Sequence, residues 1–272
     1  MAATTLPYAR STPHDDVDWH SYAAVYDVMA EHNPAYRALV DGYRRFLAAL
    51  QLRAGDTLVE LGAGTGNYSL AAAKAWPKCH VVHVDASDAM NAHAITKRTA
   101  LGLGNVEILT ADVDAFDLPD ESVALVTAVH SLYAFRDPVA VIAKCSRWLR
   151  PGGQIFAIDP GAPIDVREWS RYVFREACRS SGVATAIGLF WRARSAVRHN
   201  QRIADAFKGG TYWRHDAATF RAAFLAGGFE IVEAETTFRG ASDLIVGRKP
   251  LRPVRTAHAD DPAADDAFEA AV

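Results

Sequence analysis

A chain of 272 residues that is 50% hydrophobic and 22% charged has the balance of a globular protein, which excludes the fibrous and intrinsically disordered classes. Cys79, Cys145 and Cys178 are odd in number and not in C-x-x-C spacing, so no disulfide framework or zinc site is expected and the thiols read as reduced and mostly buried. No stretch approaches the ~18 uninterrupted apolar residues of a membrane span, and the first ten residues lack the pattern of a leader, so the expectation is a cytoplasmic chain with no membrane partner. The net charge of −3 resides in residues 251–272, where Arg252 and Arg255 face five acids; the rest is neutral, which removes the whole-molecule case for nucleic acid.

Residues 1–17 read as a disordered N-terminus. From Asp18 to Gln51 two cap helices are expected, broken at Asn33-Pro34, with Leu39, Tyr43, Phe46, Leu47 and Leu50 in one apolar stripe. Short apolar runs then alternate with helical stretches, the pattern of an α/β protein with a largely parallel sheet. The expected strands are Thr57–Leu61, His80–Val84, Val106–Leu109, Val123–Val129, Gln154–Ile158, Phe229–Glu235 and Leu244–Arg248. Helices are expected from about Asn67 to Trp76, from Ser87 to Ala100 and from Pro138 to Leu149, the last ended by Pro151-Gly152-Gly153. The core thus covers 52–160 and 227–250, interrupted by an insert at 161–226 too long for a plain connection and expected to be helical and substrate-facing. Residues 251–272 read as an acidic disordered tail.

The chemistry concentrates where the first strand gives way to a helix, in Glu60-Leu61-Gly62-Ala63-Gly64-Thr65-Gly66. Glycine there allows a tight turn and lets a ligand approach the backbone. The spacing is G-x-G-x-G rather than the G-x-G-x-x-G that seats a pyrophosphate on a helix N-terminus. Glu60, at the end of that strand, points to a ligand with a cationic portion. Asp85 ends the second strand where a ribose diol would sit, and a carboxylate can accept both hydroxyl protons. Asp112 and the Val113 amide offer hydrogen bonds to an adenine edge, with Asp114 or Asp117 as alternatives to Asp112.

With Asp85, Asp112 and Arg150-Pro151-Gly152-Gly153 at their intervals, this turn resembles a class I S-adenosylmethionine-dependent methyltransferase of the broad ubiquinone/menaquinone-biosynthesis-like branch that modifies small molecules. The resemblance implies a Rossmann-like seven-stranded, mostly parallel sheet with its last strand inserted antiparallel, and S-adenosylmethionine across the carboxyl ends of the first strands. It implies that Glu60, Gly62, Gly64 and Gly66 line the methionine moiety, Asp85 the ribose, and Asp112 and Val113 the adenine, with Ala86 and Met90 flanking the ring. Tyr22-Ala23-Ala24-Val25-Tyr26-Asp27 is similar to the segment these enzymes fold over the cofactor, with Tyr26 preferred over Tyr22; packing of both rings on one helix face is the other reading.

His130-Ser131-Leu132-Tyr133 follows the fourth strand and faces the transferred methyl in this family, so His130 and Tyr133 are the catalytic candidates. His130 is either a general base or a part of the cofactor wall. The implied activity is methyl transfer to an oxygen or nitrogen of a small metabolite. Cyclisation of the cofactor, pericyclic chemistry or a non-catalytic binding role are the alternatives, and a homodimer is one open assembly. His32-Asn33-Pro34-Ala35-Tyr36 has the look of an amide-methylating motif but precedes the first strand, and reads as a helix break. Arg167, Arg171, Arg175 and Arg179 form a basic face opposite Val166, Trp169, Tyr172, Val173 and Ala177. That face is a solvated stripe, a site for an anion or a partner for the acidic tail. Trp191, Tyr212 and Trp213 are candidates to wall an aromatic pocket or to serve as core.

Overall fold

The structure is a computed structural model that describes residues 17–251. The expected disordered segments, the N-terminus up to residue 16 and the acidic tail from 252, lie outside the described residues. Val17 is buried against Tyr133, Phe207 and Tyr212, so the cap begins there.

Two helices open the described chain, α1 (Trp19–His32) and α2 (Pro34–Ala49). They meet at Asn33, whose side chain accepts from the Ala35 amide while Pro34 takes the first helical position, where its missing N–H costs nothing. The expected helix break is therefore a capped junction. The core follows as β1 (Thr57–Leu61), α3 (Ser69–Ala75), β2 (His80–Asp85), α4 (Asp88–Ala100), β3 (Val106–Thr110), β4 (Val123–Val129), α5 (Pro138–Trp148) and β5 (Leu149–Asp159). Ser87 caps α4 by accepting from the Met90 amide, and Asp137 caps α5 by accepting from Ala140. The insert holds α6 (Val166–Ser181) and α7 (Val183–Lys208); α8 (Ala217–Ala226), β6 (Glu230–Thr237) and β7 (Ser242–Arg248) complete the chain.

The seven strands are ordered β3-β2-β1-β4-β5-β7-β6, parallel from β3 through β5, with β7 antiparallel to both β5 and β6. All seven expected strands are present and differ only at their ends, most at β5, which starts at Leu149 and carries Pro151-Gly152-Gly153 into the sheet. Central β4 is buried along its whole length because both sheet faces are covered. On one face Val59, Val126, Ala128 and Ile155 pack with Trp148, Phe220 and Phe224; on the other Leu58, Leu125 and Phe156 pack with Leu39, Tyr43 and Leu47. The period of two assigns α5 and α8 to one layer and α2 and α3 to the other. Helix α8 therefore belongs to the core cover, and the substrate-facing part of the insert ends before it.

Because the parallel strands all run the same way, their carboxyl ends deliver Gly62–Gly66, Ala86–Ser87, Asp112–Asp114, His130–Tyr133 and Pro160–Ile164 to one edge of the sheet. Helices α1, α6 and α7 roof that edge and enclose a cavity of about 560 Å³. No described helix is long and apolar enough to cross a membrane.

Candidate active site

The three motif glycines all have positive φ, 61°, 55° and 84° for Gly62, Gly64 and Gly66, but they serve different ends. A Cβ on Gly62 would stand 2.5 Å from the Ser131 Cβ, so this residue lets the loops after β1 and β4 close on each other. A Cβ on Gly64 would meet nothing within 4 Å, because Gly64 faces the cavity. Gly66 faces away: its Cβ would press on Leu70 and Ala94 at 3.2–3.3 Å, and it serves packing rather than lining.

Asp85 ties the turn to the second loop. Its Oδ2 accepts from the Gly64 amide at 2.7 Å and its Oδ1 from the Ser87 amide at 2.8 Å, leaving a lone pair on each oxygen toward the cavity. Burial raises the Asp85 carboxyl above its ordinary value. Beyond it, Ala86, Met90, Asp112 and Val113 line one end of the cavity with Phe135. Asp112 accepts from the Asp114 amide at 2.9 Å in a local turn, and the Lys144 ammonium donates to the carbonyls of Val113, Asp114 and Phe116 at 2.8–3.2 Å, which fixes that loop. Asp114 also lines the cavity, whereas Asp117 does not and instead binds Arg147 and the Trp148 indole.

At the other end Glu60 is 3% exposed, and its Oε2 accepts from the Ser69 amide at 2.5 Å. Burial pushes its carboxyl up to about 8, so the acid is largely protonated in the empty site and a cation placed beside it would favour the carboxylate and draw the proton off. Under the site Ser69, His83 and Asn91 form a buried relay, with Ser69 Oγ to His83 Nδ1 at 2.9 Å, His83 Nε2 to Asn91 Oδ1 at 3.0 Å, and Asn91 Nδ2 donating to Thr110 Oγ1 at 2.8 Å. Tyr26 and Tyr36 bond through their hydroxyls, and both rings line the cavity with Tyr22 and Tyr68. Tyr22 also packs edge-on against Tyr26, so the two readings of that segment describe one arrangement. Asp27 accepts from Thr65 Oγ1 at 2.6 Å and from the Lys97 ammonium at 3.0 Å, strapping α1 over the glycine turn. Lys97 also donates to Asn67 Oδ1 at 3.0 Å, and the buried Asn67 Nδ2 makes no hydrogen bond to the protein.

The remaining wall comes from the insert. Val166, Trp169 and Val173 of α6, Ile203, Ala204 and Phe207 of α7, and Phe238 after β6 supply apolar surface, and Asn200 accepts from the Tyr22 hydroxyl at 2.8 Å. Phe238 and Arg239 sit in the left-handed region at φ 51° and 57°, strained for non-glycine residues. They are held by the Trp169–Phe238 stack at 4.5 Å between centroids and by the Arg239 pair with Glu168 at 2.9 Å. The trio Trp191, Tyr212 and Trp213 is not among the lining residues: Trp191 is exposed, Trp213 is core, and Tyr212 backs Tyr133 from behind. Trp169 of α6, Phe207 of α7 and Phe238 after β6 are aromatics of this part of the chain that line the cavity instead.

His130 stands between the two ends. Its Nε2 lies 3.0 Å from Ser242 Oγ, its ring meets Tyr36 on one side and Phe238 on the other, and burial pushes it down to about 4. Tyr133 lines the cavity beside it, and its carbonyl accepts from the Trp213 amide at 3.0 Å. The His215 imidazole is buried between Asp159 and Asp243 at 3.5 and 3.9 Å, so the insert's exit is locked to β5 and β7.

Residues 58–153 match the family model described as "Methyltransferase domain". This segment is a class I S-adenosylmethionine-dependent methyltransferase domain. The chain is 34% identical over 128 residues to nocamycin O-methyltransferase of Saccharothrix syringae, covering 47% of this chain and 46% of that enzyme, so it spans about half the length of this relative. It is 26% identical over 238 residues to the ubiquinone/menaquinone biosynthesis C-methyltransferase UbiE of Ectopseudomonas mendocina, covering 85% of this chain and 87% of that one. The fold is shared with the [4+2]-cyclase SpnF at TM-score 0.59 and 14% identity over 90% of this chain and 99% of that one. A methyltransferase from Aquifex aeolicus superposes at 0.54 with 16% identity over 82% and 97%. The residues present fit S-adenosylmethionine: Asn67 Nδ2 is a donor with no protein partner, Glu60 a buried acid awaiting a cation, and Gly64 an open cradle that any Cβ would fill.

Proposed function

We propose that this methyltransferase moves a methyl group from S-adenosylmethionine to an oxygen or nitrogen of a small, largely apolar molecule. The observation that carries the reading is a single cavity with a polar end built by the strand loops and an apolar end built by α6, α7 and Phe238. When bound, the cofactor supplies a methyl already activated on a sulfonium, so the protein chiefly has to align the acceptor. Glu60 takes the ammonium and Asn67 donates to the carboxylate, while Tyr26 turns its ring to the cation. Asp85 accepts from the ribose hydroxyls; Ala86, Met90 and Val113 enclose the adenine, and Asp112 bonds its edge. Gly62 and Gly64 leave room for the chain of the amino acid.

On the acceptor side, Trp169, Ile203 and Phe238 exclude water, and Tyr133 closes the wall nearest His130. An imidazole that titrates near 4 is neutral at physiological pH and a poor match for general-base work, which is best served near the working pH. His130 therefore acts as a hydrogen-bonding wall, and the acceptor arrives ionised or attacks as a free amine whose product sheds its proton after release. Incubation with isotopically labelled S-adenosylmethionine and cell extract, followed by mass spectrometry, tests the function. Acceptor-dependent S-adenosylhomocysteine with a labelled methylated product is the expected result. Methylthioadenosine without an acceptor, or an altered small molecule with no cofactor consumed, would replace methyl transfer with cyclisation or pericyclic chemistry.

A further inference from the structure

Helix α7 has two faces of opposite character. Its inner face carries Ala186, Leu189, Ala193, Ala196 and Ala204 into the protein. On the outer face Val183, Ile187 and Trp191 follow one another at four-residue spacing and are 61%, 48% and 67% exposed, an uncovered apolar stripe. The same face continues through the exposed Arg194, Arg198 and Arg202, and Arg192 is exposed on an adjoining side of the helix. The guanidinium of Arg194 lies 5.7 Å from the Trp191 ring centre, so stripe and charges form one surface. The acids of this region are engaged elsewhere, Glu168 with Arg239, Glu176 with Arg179 and Asp205 with Lys208. That leaves Arg192, Arg194, Arg198 and Arg202 without a carboxylate partner among the described residues, inside a body whose overall charge is neutral.

We infer that this outer face of α7 rests on an anionic lipid surface, with Val183, Ile187 and Trp191 inserted at the headgroup boundary and the arginines on the phosphates. An exposed helix face on which an apolar stripe ends in a Trp and continues into arginines has the composition of an interfacial helix, which lies on a membrane rather than across it. The absence of a spanning segment is silent on this kind of contact. A second copy docking through the same face about a two-fold axis would cover Val183, Ile187 and Trp191 with their own counterparts but would bring no anion to the arginines. Nucleic acid offers phosphates to the arginines but no partner for Val183 and Ile187. The acidic tail departs from Leu251, which packs on Gly152 near the start of β5, at the opposite end of the sheet from the roof. The C-terminal half of α7, through Ile203, Ala204 and Phe207, lines the acceptor end of the cavity, so the arginine segment of the docked helix lies over that end.

The test is co-sedimentation of the full chain with vesicles of about 30% phosphatidylglycerol in phosphatidylcholine and with phosphatidylcholine alone. Binding to the anionic vesicles that falls as salt rises supports the inference. Arg198→Gln and Arg202→Gln should each weaken it about fivefold, and Trp191→Ala about tenfold or more; all three positions are exposed, so unchanged melting is expected. Equal binding to both vesicles, no binding to either, or variants that bind as the parent would overturn it. So would vesicle binding seen only after removal of residues 252–272, which would give the face to the tail. A dimer lost in Trp191→Ala or retention on an oligonucleotide, either without vesicle binding, would give it to a second copy or to nucleic acid.

Discussion

The two ends of the cavity are built by different means. The cofactor end is made of loops that each follow a parallel strand, and its polar contacts run over short distances in the chain: Gly64 to Asp85, Asp85 to Ser87, Glu60 to Ser69. The acceptor end is made of helix faces and one strained turn, joined by contacts such as Tyr22 to Asn200, Glu168 to Arg239 and His130 to Ser242 that span 71 to 178 residues. A strand-end loop repeats wherever the fold repeats, because the open α/β sheet puts ligands at its carboxyl edge. A roof of helices is free to vary without disturbing the sheet, which is how one fold serves many acceptors.

Substitutions can break this division. The largest effect is expected from Gly64→Val, which drives a branched side chain into the cofactor end: calorimetry should find no S-adenosylmethionine binding in a protein that still melts cooperatively. Parent-like affinity in that variant would remove the turn from the site. Asp85→Ala should raise the cofactor dissociation constant more than tenfold, since each lost charge-assisted bond contributes on the order of 1.5–3 kcal/mol. Because Asp85 also holds the Gly64 and Ser87 amides, a variant that melts early with no separable binding loss would make the residue structural.

Glu60 adds a pH signature. Its folded value is raised to about 8, so the free site is largely protonated at neutral pH, and pairing with an ammonium needs the carboxylate. Binding should release a proton at neutral pH, and affinity should climb as pH rises toward about 8 and then fall as the cofactor's own α-ammonium gives up its proton. In the free protein the sign is opposite: stability from this group is full in acid and is lost as pH rises from the ordinary glutamate range through about 8. Glu60→Gln should remove both slopes. Titrations in buffers of different ionisation heat, with melting curves across the same range, check the pair, and pH-independent affinity would detach Glu60 from the cation.

A smaller effect is expected at the seam. His130→Ala should weaken cofactor affinity and turnover together, by a few fold, with the pH profile of kcat keeping its shape. A drop of roughly 10²–10⁴ in kcat alone, with one limb of the profile lost, would make His130 a base. Ile203→Ala should sharpen the division most gently, raising KM for the acceptor while the cofactor dissociation constant stays put. A matching change in both would show that the two ends are energetically one.

What was legible in the sequence follows the same line. The seven strands, the Asn33-Pro34 junction, the glycine turn and Asp85 were readable because alternation, caps and strand-end residues are local signals. Gly66 shares its spacing with Gly62 and Gly64, and only packing against Leu70 and Ala94 shows that it serves the core. The relay through Ser69, His83 and Asn91 lay in plain view as polar residues in apolar elements, a pattern that marks buried networks. The Asp27–Lys97 strap, Ser242 behind His130 and the exchange of Trp169 and Phe238 for Trp191, Tyr212 and Trp213 depend on how distant helices pack, which no local period encodes. The exposed stripe of Val183, Ile187 and Trp191 was hidden for a similar reason, since apolar residues at helical spacing usually face inward.

The central claim is that S-adenosylmethionine lies along the strand ends, with its methyl turned toward the roof. A crystal structure of the chain with S-adenosylhomocysteine tests it most directly. The account predicts the ribose hydroxyls on Asp85, the adenine between Met90 and Val113, the ammonium near Glu60 and the sulfur facing His130 and the α6–α7 wall. A ribose away from Asp85, or a sulfur turned from His130 and that wall, would contradict it.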